Sequence, residues 1–533
     1  MNNIALTIAG QHCSLAVSRL RTSQQINDIP VAHLDLQVFA DDHDASSMQP
    51  RDIAAQITVG SSVEITLDDA VLFSGNLVRK SILMRGKQWT LRLEVRHPLQ
   101  KLTFFPRSRV FRQQDDSAML STLLQSAGVK MKLATTANLN TRHDQMVQFR
   151  VSNWQFVISR LFATNSWLIP DMASRSVTIA PLSQPATASH QLERYADSSD
   201  YTLYDIELTF DNRFMPESLS LQGWDIAQQQ LTTPQKSDSK NFLPWKPNAS
   251  TTWLSADKQQ DYQLAFSCLP DTQLSTLSQS WQNHQRLAAV QGRLRLEGTR
   301  DFQPGETITL NKFGAGLDGT AVLTGVLQLF NQAEGWRTEL LIGMPATIPE
   351  PAPSIQSLQI ATVADFIADS QDMDRIPIYL PALNVPGEYI FARLGKPWAS
   401  KVSGFCFYPE PGDEVVVGFI ENDPRYPVIL DSLHNPKNNA PFSPDKKNNL
   451  KGIIVNKNDR IEQLLINTDD STVTLSAGKT SFSLSNDKNI QLNSPETMTF
   501  SASNVSYQVS DTLSFSADSQ ITITSSSINM KQK

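Results

Sequence analysis

The 533-residue chain is too long for one core and implies about three to four domains at roughly 150 residues each. Its composition, 40% hydrophobic and 19% charged, is that of a globular protein, and a net charge of −7 argues against a surface that tracks phosphates. No apolar run approaches the ~20 residues of a spanning helix, and Cys13, Cys268 and Cys406 are too scattered for a disulfide framework or a zinc site. The expectations are therefore a reducing compartment, no cofactor, no metal and no nucleic acid. Met1 to Ala9 lacks a basic n-region, so synthesis in the cytoplasm without a signal peptide is expected.

In chain order, Val63–Leu67, Val71–Leu77 and Trp89–Val95 alternate apolar and polar residues between the breakers Gly60, Asp68-Asp69 and Gly86. That pattern predicts an antiparallel meander or small barrel. A helix follows, with Asp116 or Ser117 as N-cap, Met119, Leu120, Leu123 and Leu124 on one stripe, and Gly128 as its stop. A second starts at Asn153 with Trp154, Phe156, Val157, Leu161 and Phe162 at helical spacing, a core stripe rather than a chemical one. Residues 225–262 are polar, including the run Lys236 to Lys240, and read as a surface excursion. A third helix is expected over Thr272 to Gln291 with Gly292 at C′. Strands follow at Thr307–Leu310, Thr320–Leu329 and Trp336–Ile342. Pro345 to Ser354 carries four prolines and reads as a stiff linker, the clearest domain boundary.

Residues 365–434 read as five short strands: Arg375–Leu380, Tyr389–Leu394, Gly404–Tyr408, Glu414–Ile420 and Val428–Leu430. Separated by Pro and Gly turns, they fit an OB-type barrel. The last part is different. From Ser471 to Ile528 there are 24 Ser or Thr in 58 residues and six charged groups. Such tracts are usually disordered, yet this one hides a register. Apolar pairs fall at Phe482/Leu484, Ile490/Leu492, Met498/Phe500, Val505/Tyr507, Leu513/Phe515, Ile521/Ile523 and Ile528/Met530, starting 8, 8, 7, 8, 8 and 7 residues apart. Each repeat is one short strand and a turn with one apolar face. Two apolar side chains per strand cannot close a core alone, so three copies wound about one axis are the favoured solution. A single-chain solenoid, a disordered tail and an amyloid-prone tract remain open.

The barrel segment resembles the OB region of VgrG proteins and of the central spikes of contractile phage tails. The resemblance rests on Asp374 to Ile378, Pro397-Trp398-Ala399, Pro411-Gly412-Asp413-Glu414-Val415-Val416-Val417-Gly418-Phe419, Asn422-Asp423-Pro424-Arg425-Tyr426-Pro427-Val428, and Leu433-His434-Asn435. More loosely, Gly60 to Val63, Phe73-Ser74-Gly75, Arg96-His97-Pro98-Leu99, the Asn153 helix, Phe302 to Glu306 and Leu323 to Val326 resemble the hub half of that family. Size and tail look closest to the spikes of extracellular contractile injection systems, the antifeeding-prophage and Photorhabdus virulence cassette type.

The resemblance implies a mainly β fold with a few helices. Residues 1–344 would be a hub region of two β-barrel-type domains, 345–364 a linker, 365–440 an OB barrel, and 441–533 an intertwined triple-stranded β-helix needle. It implies a homotrimer that joins a hexameric inner tube and baseplate to a PAAR-type tip. That assembly, with effector cargo, would cross a target membrane on sheath contraction as part of a particle released from the cell. The needle core would be Phe482, Leu484, Ile490, Leu492, Met498, Phe500, Val505, Tyr507, Leu513, Phe515, Ile521 and Ile523, with Ile528 and Met530 as the platform for the tip protein. Two departures stand out: no glycine follows Gly478, and only about sixteen residues separate His434 from Lys451, too few for an inserted lysozyme domain.

The segments that could carry chemistry each have a plainer reading. Gly478-Lys479-Thr480 lacks the earlier glycine of a phosphate loop, because Val473 stands there. Asp41-Asp42-His43-Asp44 has no Gly-punctuated loop or distal Glu and reads as a solvated turn. His12 and Cys13 are strand neighbours and point to opposite faces. Glu410 and Glu414 imitate a glycosidase pair but sit in the barrel motif. The expectation is no enzyme and no catalytic residue. The rivals to a spike are a tail-associated cell-wall hydrolase, which would need a clefted extra domain, and a trimeric receptor-binding adhesin, which would need a head beyond the stalk.

Overall fold

Strands, many of them alternating between buried and more exposed positions, pair antiparallel along most of the chain, because a period of two places every second side chain on one face. The computed structural model describes residues 4–531 except 40–49, 87, 136, 183–188, 195–200, 215, 238–241, 243, 248–256, 315–316 and 347–352. The Asp41–Asp44 turn therefore lies outside the described residues, as does most of the proline-rich stretch. The chain divides into two units, Met1–Leu433 and His434–Lys533.

In the first unit a 14-stranded sheet carries the expected meander as Ser62–Leu67, Ala70–Arg85 and Gln88–Arg96. Ala16–Gln25 pairs with Val31–Phe39 on one edge and with Gly319–Asn331 on the other. The two halves expected in residues 1–344 are thus joined edge to edge, over separate cores. One core includes Leu34, Ile65, Phe73 and Leu93, and the other Leu294, Ile308, Leu323 and Leu340. Cys13 is buried in the first core and His12 is exposed, on opposite faces of one strand.

Helices are α1 (Pro50–Gln56), α2 (Asp116–Ser126), α3 (Asn153–Ala163) and α4 (Asp271–Ala289). The cap of α2 is Asp115, whose Oδ1 accepts from Ala118 N–H at 2.8 Å, one residue before the expected position. Asp116 points inward instead. Ser152 and Gln155 form a capping box on α3, whose Phe156, Val157 and Leu161 are fully buried. Gly292 does not cap α4. The helix ends at Ala289, and Gly292 lies inside the strand Val290–Glu297, where a Cβ would collide with the Glu207 carbonyl of the neighbouring strand. The polar excursion is also corrected: Phe242 and Trp245 are buried, and Trp245–Pro247 pairs with Gly319–Ala321. Two aromatic anchors outweigh a polar average.

The barrel is closed by Gln359–Val363, Arg375–Tyr379, Ile390–Leu394, Glu414–Phe419 and Pro427–Leu433. Its fifth strand is Gln359–Val363, placed in the linker by sequence, and not Gly404–Tyr408. Ala361 and Val363 alternate into the barrel core, whereas Phe405 and Phe407 are exposed and only Ser403–Gly404 pairs, with Ala399–Ser400. Ile355 is already part of that core.

In the second unit, Leu450–Lys457, Arg460–Asn467, Thr472–Ala477, Thr480–Ser485 and Asn489–Asn493 form one meander. Gly478, at φ +58°, sits in the turn between the third and fourth strands, a hairpin and not a phosphate loop. From Ser494 to Lys531 the described residues form no strand pair within the chain, although five apolar pairs continue there. Strands need a neighbour's N–H and C=O groups, and this stretch of the chain meets none of its own.

Candidate functional site

Over its last three strands the meander of the second unit has two chemically distinct faces. Register places Ile453, Leu464, Leu475, Phe482 and Leu492 in one cross-strand row and Ile466, Val473, Leu484 and Ile490 in the next. All project from the same face. The opposite face of the last three strands carries Thr472, Thr474, Ser476, Ser481, Ser483, Ser485, Asn489, Gln491 and Asn493. These three strands are amphipathic, whereas in the first two Leu450, Ile454, Ile461 and Leu465 lie on the opposite face as well. The face of the two rows is uncovered: all their residues are exposed, Leu475 to 58%. Of the residues expected in the needle core, Phe482, Leu484, Ile490 and Leu492 are brought into those rows. Met498, Phe500, Val505, Tyr507, Leu513, Phe515, Ile521 and Ile523 lie beyond the sheet and are exposed, as are Ile528 and Met530. A contiguous apolar surface of this length marks an association surface.

Inside the first unit a second arrangement joins the hub sheet and helices to the barrel. The strand Arg142–Val151 is buried on both faces. Val147 and Phe149 join the barrel core, while Met146, on the other side, packs with α2 and α3. Gln145 Nε2 donates to the carbonyls of Phe391 (3.0 Å) and Arg425 (2.8 Å), and its Oε1 accepts from Phe391 N–H (2.8 Å). Asp144 forms an ion pair with Arg375 at 2.8 Å, and Arg375 is chelated by Asp369. Burial opposes the charge on Asp369. Hydrogen bonds from Arg375 and from the Gln371 and Met373 amides outweigh it and hold the carboxyl far below its ordinary range.

Arg425, from the DPR segment of the barrel motif, is chelated by Asp423 and reaches Gln273 of α4 at 3.0 Å. Burial works against its charge, yet Asp423 raises its pKa further. Beneath lies the buried cluster of Asp116, His143 and Arg160: Asp116 accepts from His143 Nε2 at 2.8 Å and from Arg160 Nε at 2.7 Å. Burial alone would raise the Asp116 pKa; Arg160 and His143 reverse that and lower it. The charges neutralise one another in place, so the cluster clamps α2, α3 and the 142–151 strand. Sequence reasoning missed this joint. The signals were present as Asp116, read as a cap, and as the family motif around Arg425, but their partners are far away in the chain. Glu410 and Glu414 form no pair, since Glu410 lies in the turn closed by Asp413 and Glu414 opens a barrel strand.

Among the described residues no helix is long and apolar enough to cross a membrane, and no group of three His, Cys, Asp or Glu is placed to hold a metal ion.

The family described as the Alg8 N-terminal domain matches residues 2–331, more than half of the chain. The chain belongs to that family. Residues 359–434 match the Type VI secretion system/phage-baseplate injector OB domain, and the matched start coincides with the Gln359 strand. The Type VI secretion system spike protein VgrG3 of Vibrio cholerae is 21% identical over 379 residues, 66% of this chain and 36% of that protein. The chain thus spans about a third of the length of that relative. Among solved structures, the Escherichia coli c3393 protein is 11% identical with a TM-score of 0.53, covering 80% of this chain and 99% of its own. It is described as a type VI secretion component similar to the T4 bacteriophage tail proteins gp27 and gp5. The Francisella PdpA–VgrG complex, half-lidded, is 10% identical with a TM-score of 0.58, covering 92% and 88%. The fold is that of the VgrG spikes, with a hub and an OB barrel of the gp27 and gp5 type.

Proposed function

We propose that this chain is the structural central spike of a contractile injection machine, acting as a homotrimer and without catalysis of its own. The observation that carries the reading is the uncovered apolar face of residues 450–493, continued from Phe482 to Met530 by apolar pairs seven or eight residues apart. Three copies would bury that face around one axis and supply one another with the strand partners that residues 494–531 lack within the chain. A rod built this way resists axial load because yielding requires many strand hydrogen bonds to break together. The Gln145, Arg375 and Arg425 contacts support stiff transmission of that load from hub to barrel.

In this reading the hub meets the inner tube and baseplate, and Ile528 and Met530 seat a PAAR-type tip protein. The particle is of the extracellular contractile type, and effector cargo travels with the spike. The likeness to VgrG proteins supports the spike role, and the extracellular type is inferred from the size of the chain and its Ser/Thr-rich tail. The test is solution mass by light scattering, with and without residues 451–533. A mass near three times 59.3 kDa, 178 kDa, that is lost on truncation is the expected result. A folded full-length monomer overturns the reading, and a trimer that survives truncation removes the apolar face as the seat of assembly.

A further inference from the structure

A cavity of about 330 Å3 lies between α3, α4 and the barrel turn at residues 421–426. It is within the size range of small-molecule sites, at their lower end. Phe162, Phe266, Leu269 and Leu277 give it an apolar wall on the helical side, and the exposed Glu421 stands in the wall on the barrel side. Glu421 Oε1 accepts from the Ser267 N–H at 2.8 Å and from the Ser267 hydroxyl at 2.9 Å. Its Oε2 has no hydrogen-bond partner, and the carboxylate no cation, among the described residues. Two bonds to one oxygen hold the group in place and leave the other oxygen open as an acceptor.

The other charges of the wall are matched. Asp116 is met by His143 and Arg160, and Asp423 by Arg425. The amino end of α4 reaches the cavity with Thr272 and Gln273, and Asp271 in its first turn offsets that positive end. Arg393 borders the adjoining groove and not this cavity. Glu421 is thus the uncompensated charge of the wall among the described residues, and its field is felt at Cys268. Burial, reinforced by Glu421 and opposed less strongly by Arg393, pushes that thiol up to about 11. A neutral guest would gain nothing from the carboxylate's charge and an anionic one would be repelled, whereas an ammonium ion gains both the attraction and a charge-assisted hydrogen bond.

We propose that this cavity is a binding site for an organic ammonium ion with an apolar body, its N–H donated to Glu421 Oε2 and its hydrocarbon laid against Phe162, Phe266, Leu269 and Leu277. The fixed carboxylate sets where the charged end sits, and the apolar wall takes the rest. Binding is non-covalent and lies within one chain, at the joint between hub helices and barrel, so it does not rest on the trimer.

The test is a saturation-transfer NMR titration of the full chain, near neutral pH and at low salt, with phenethylammonium, the neutral phenethyl alcohol and the anion phenylacetate. The unaltered protein is expected to bind phenethylammonium at about millimolar concentration, more tightly than phenethyl alcohol, and to reject phenylacetate. Glu421→Gln keeps the shape of the side chain and removes its charge. It is expected to weaken phenethylammonium about five-fold and to leave phenethyl alcohol unchanged. Glu421→Lys, which reverses the charge, is expected to abolish phenethylammonium binding. Both substitutions fall at an exposed position and spare the cores. Phenethylammonium that fails to bind, that binds no more tightly than phenethyl alcohol, or that binds both variants as well as the parent overturns the proposal.

Discussion

Leu475→Asp tests the orientation of the C-terminal strands. Leu475 pairs with Leu464 on one side and Phe482 on the other, in the middle of an apolar row, and is 58% exposed in the chain by itself. Were the chain to act alone, a polar substitution at such an exposed position would change stability by about 0.5 kcal/mol or less. In a trimer the exposed fraction becomes buried. Full burial of a leucine side chain is worth about 1.5–3 kcal/mol, so a little over half of that is about 1–2 kcal/mol per chain and about 3–5 kcal/mol per trimer. Three carboxylates brought together away from water add several kcal/mol more. Thr474→Asp places the same charge one residue earlier, on the Ser/Thr face. The assay is light scattering with a thermal melt of the assembled species. Leu475→Asp should dissociate the trimer or sharply lower its melting temperature, and Thr474→Asp should leave it assembled. Equal effects from the two substitutions, or none from either, refute the assignment of faces.

Three further outcomes are expected. Gln145→Met keeps the length of the side chain but leaves Phe391 N–H, Phe391 C=O and Arg425 C=O without their partner, so the Phe391 amide should exchange its hydrogen at least five-fold faster; unchanged protection would show that Gln145 does not hold the joint. Burial lowers the pKa of His97 to about 4 from 6.5, and its neutral ring bonds the Ser174 carbonyl at 3.0 Å. The unfolded chain therefore takes up a proton below pH 6.5 and the folded one only below about 4. This contribution is complete above pH 6.5 and is lost as pH falls toward 4, by about 3 kcal/mol in total. Denaturant midpoints across that range should fall in the parent and less steeply in His97→Gln; identical slopes would exclude His97 as the cause. Gly343 lies at φ +71°, where an added Cβ would strike the Val290 carbonyl, so Gly343→Ala should destabilise the hub by about 1–3 kcal/mol in urea unfolding, and a neutral result would contradict the close approach.

Local pattern carried much of this protein. The α3 stripe from Phe156 to Phe162, the alternation in Ser62–Leu67 and Gln88–Arg96, and the apolar rows at 482–492 depend on spacing along a few residues, and spacing is what a sequence displays. The barrel motif from Pro411 to Val428 likewise pointed to the OB fold that the comparisons show. Near-neighbour ambiguity defeated other readings. Asp115 rather than Asp116 caps α2, because only the tertiary structure offers Asp116 the buried Arg160 and His143.

Tertiary structure alone decided the rest. The fifth barrel strand is Gln359–Val363, because closure selects a segment with Ala361 and Val363 facing in over the aromatic stretch at 404–408. Ala16–Gln25 meets Gly319–Asn331 across the whole hub, and Gln145 meets Phe391 across 246 residues of sequence. Such contacts depend on how elements fold over one another, and a polar side chain shows no sign in sequence of which distant carbonyl will need it. Composition and period thus determined that the chain is a β-rich protein with an apolar repeat in its tail, since those are short-range properties of side chains. Which charges neutralise one another, which strand closes the barrel and which faces stay open were decided only when the chain came back on itself.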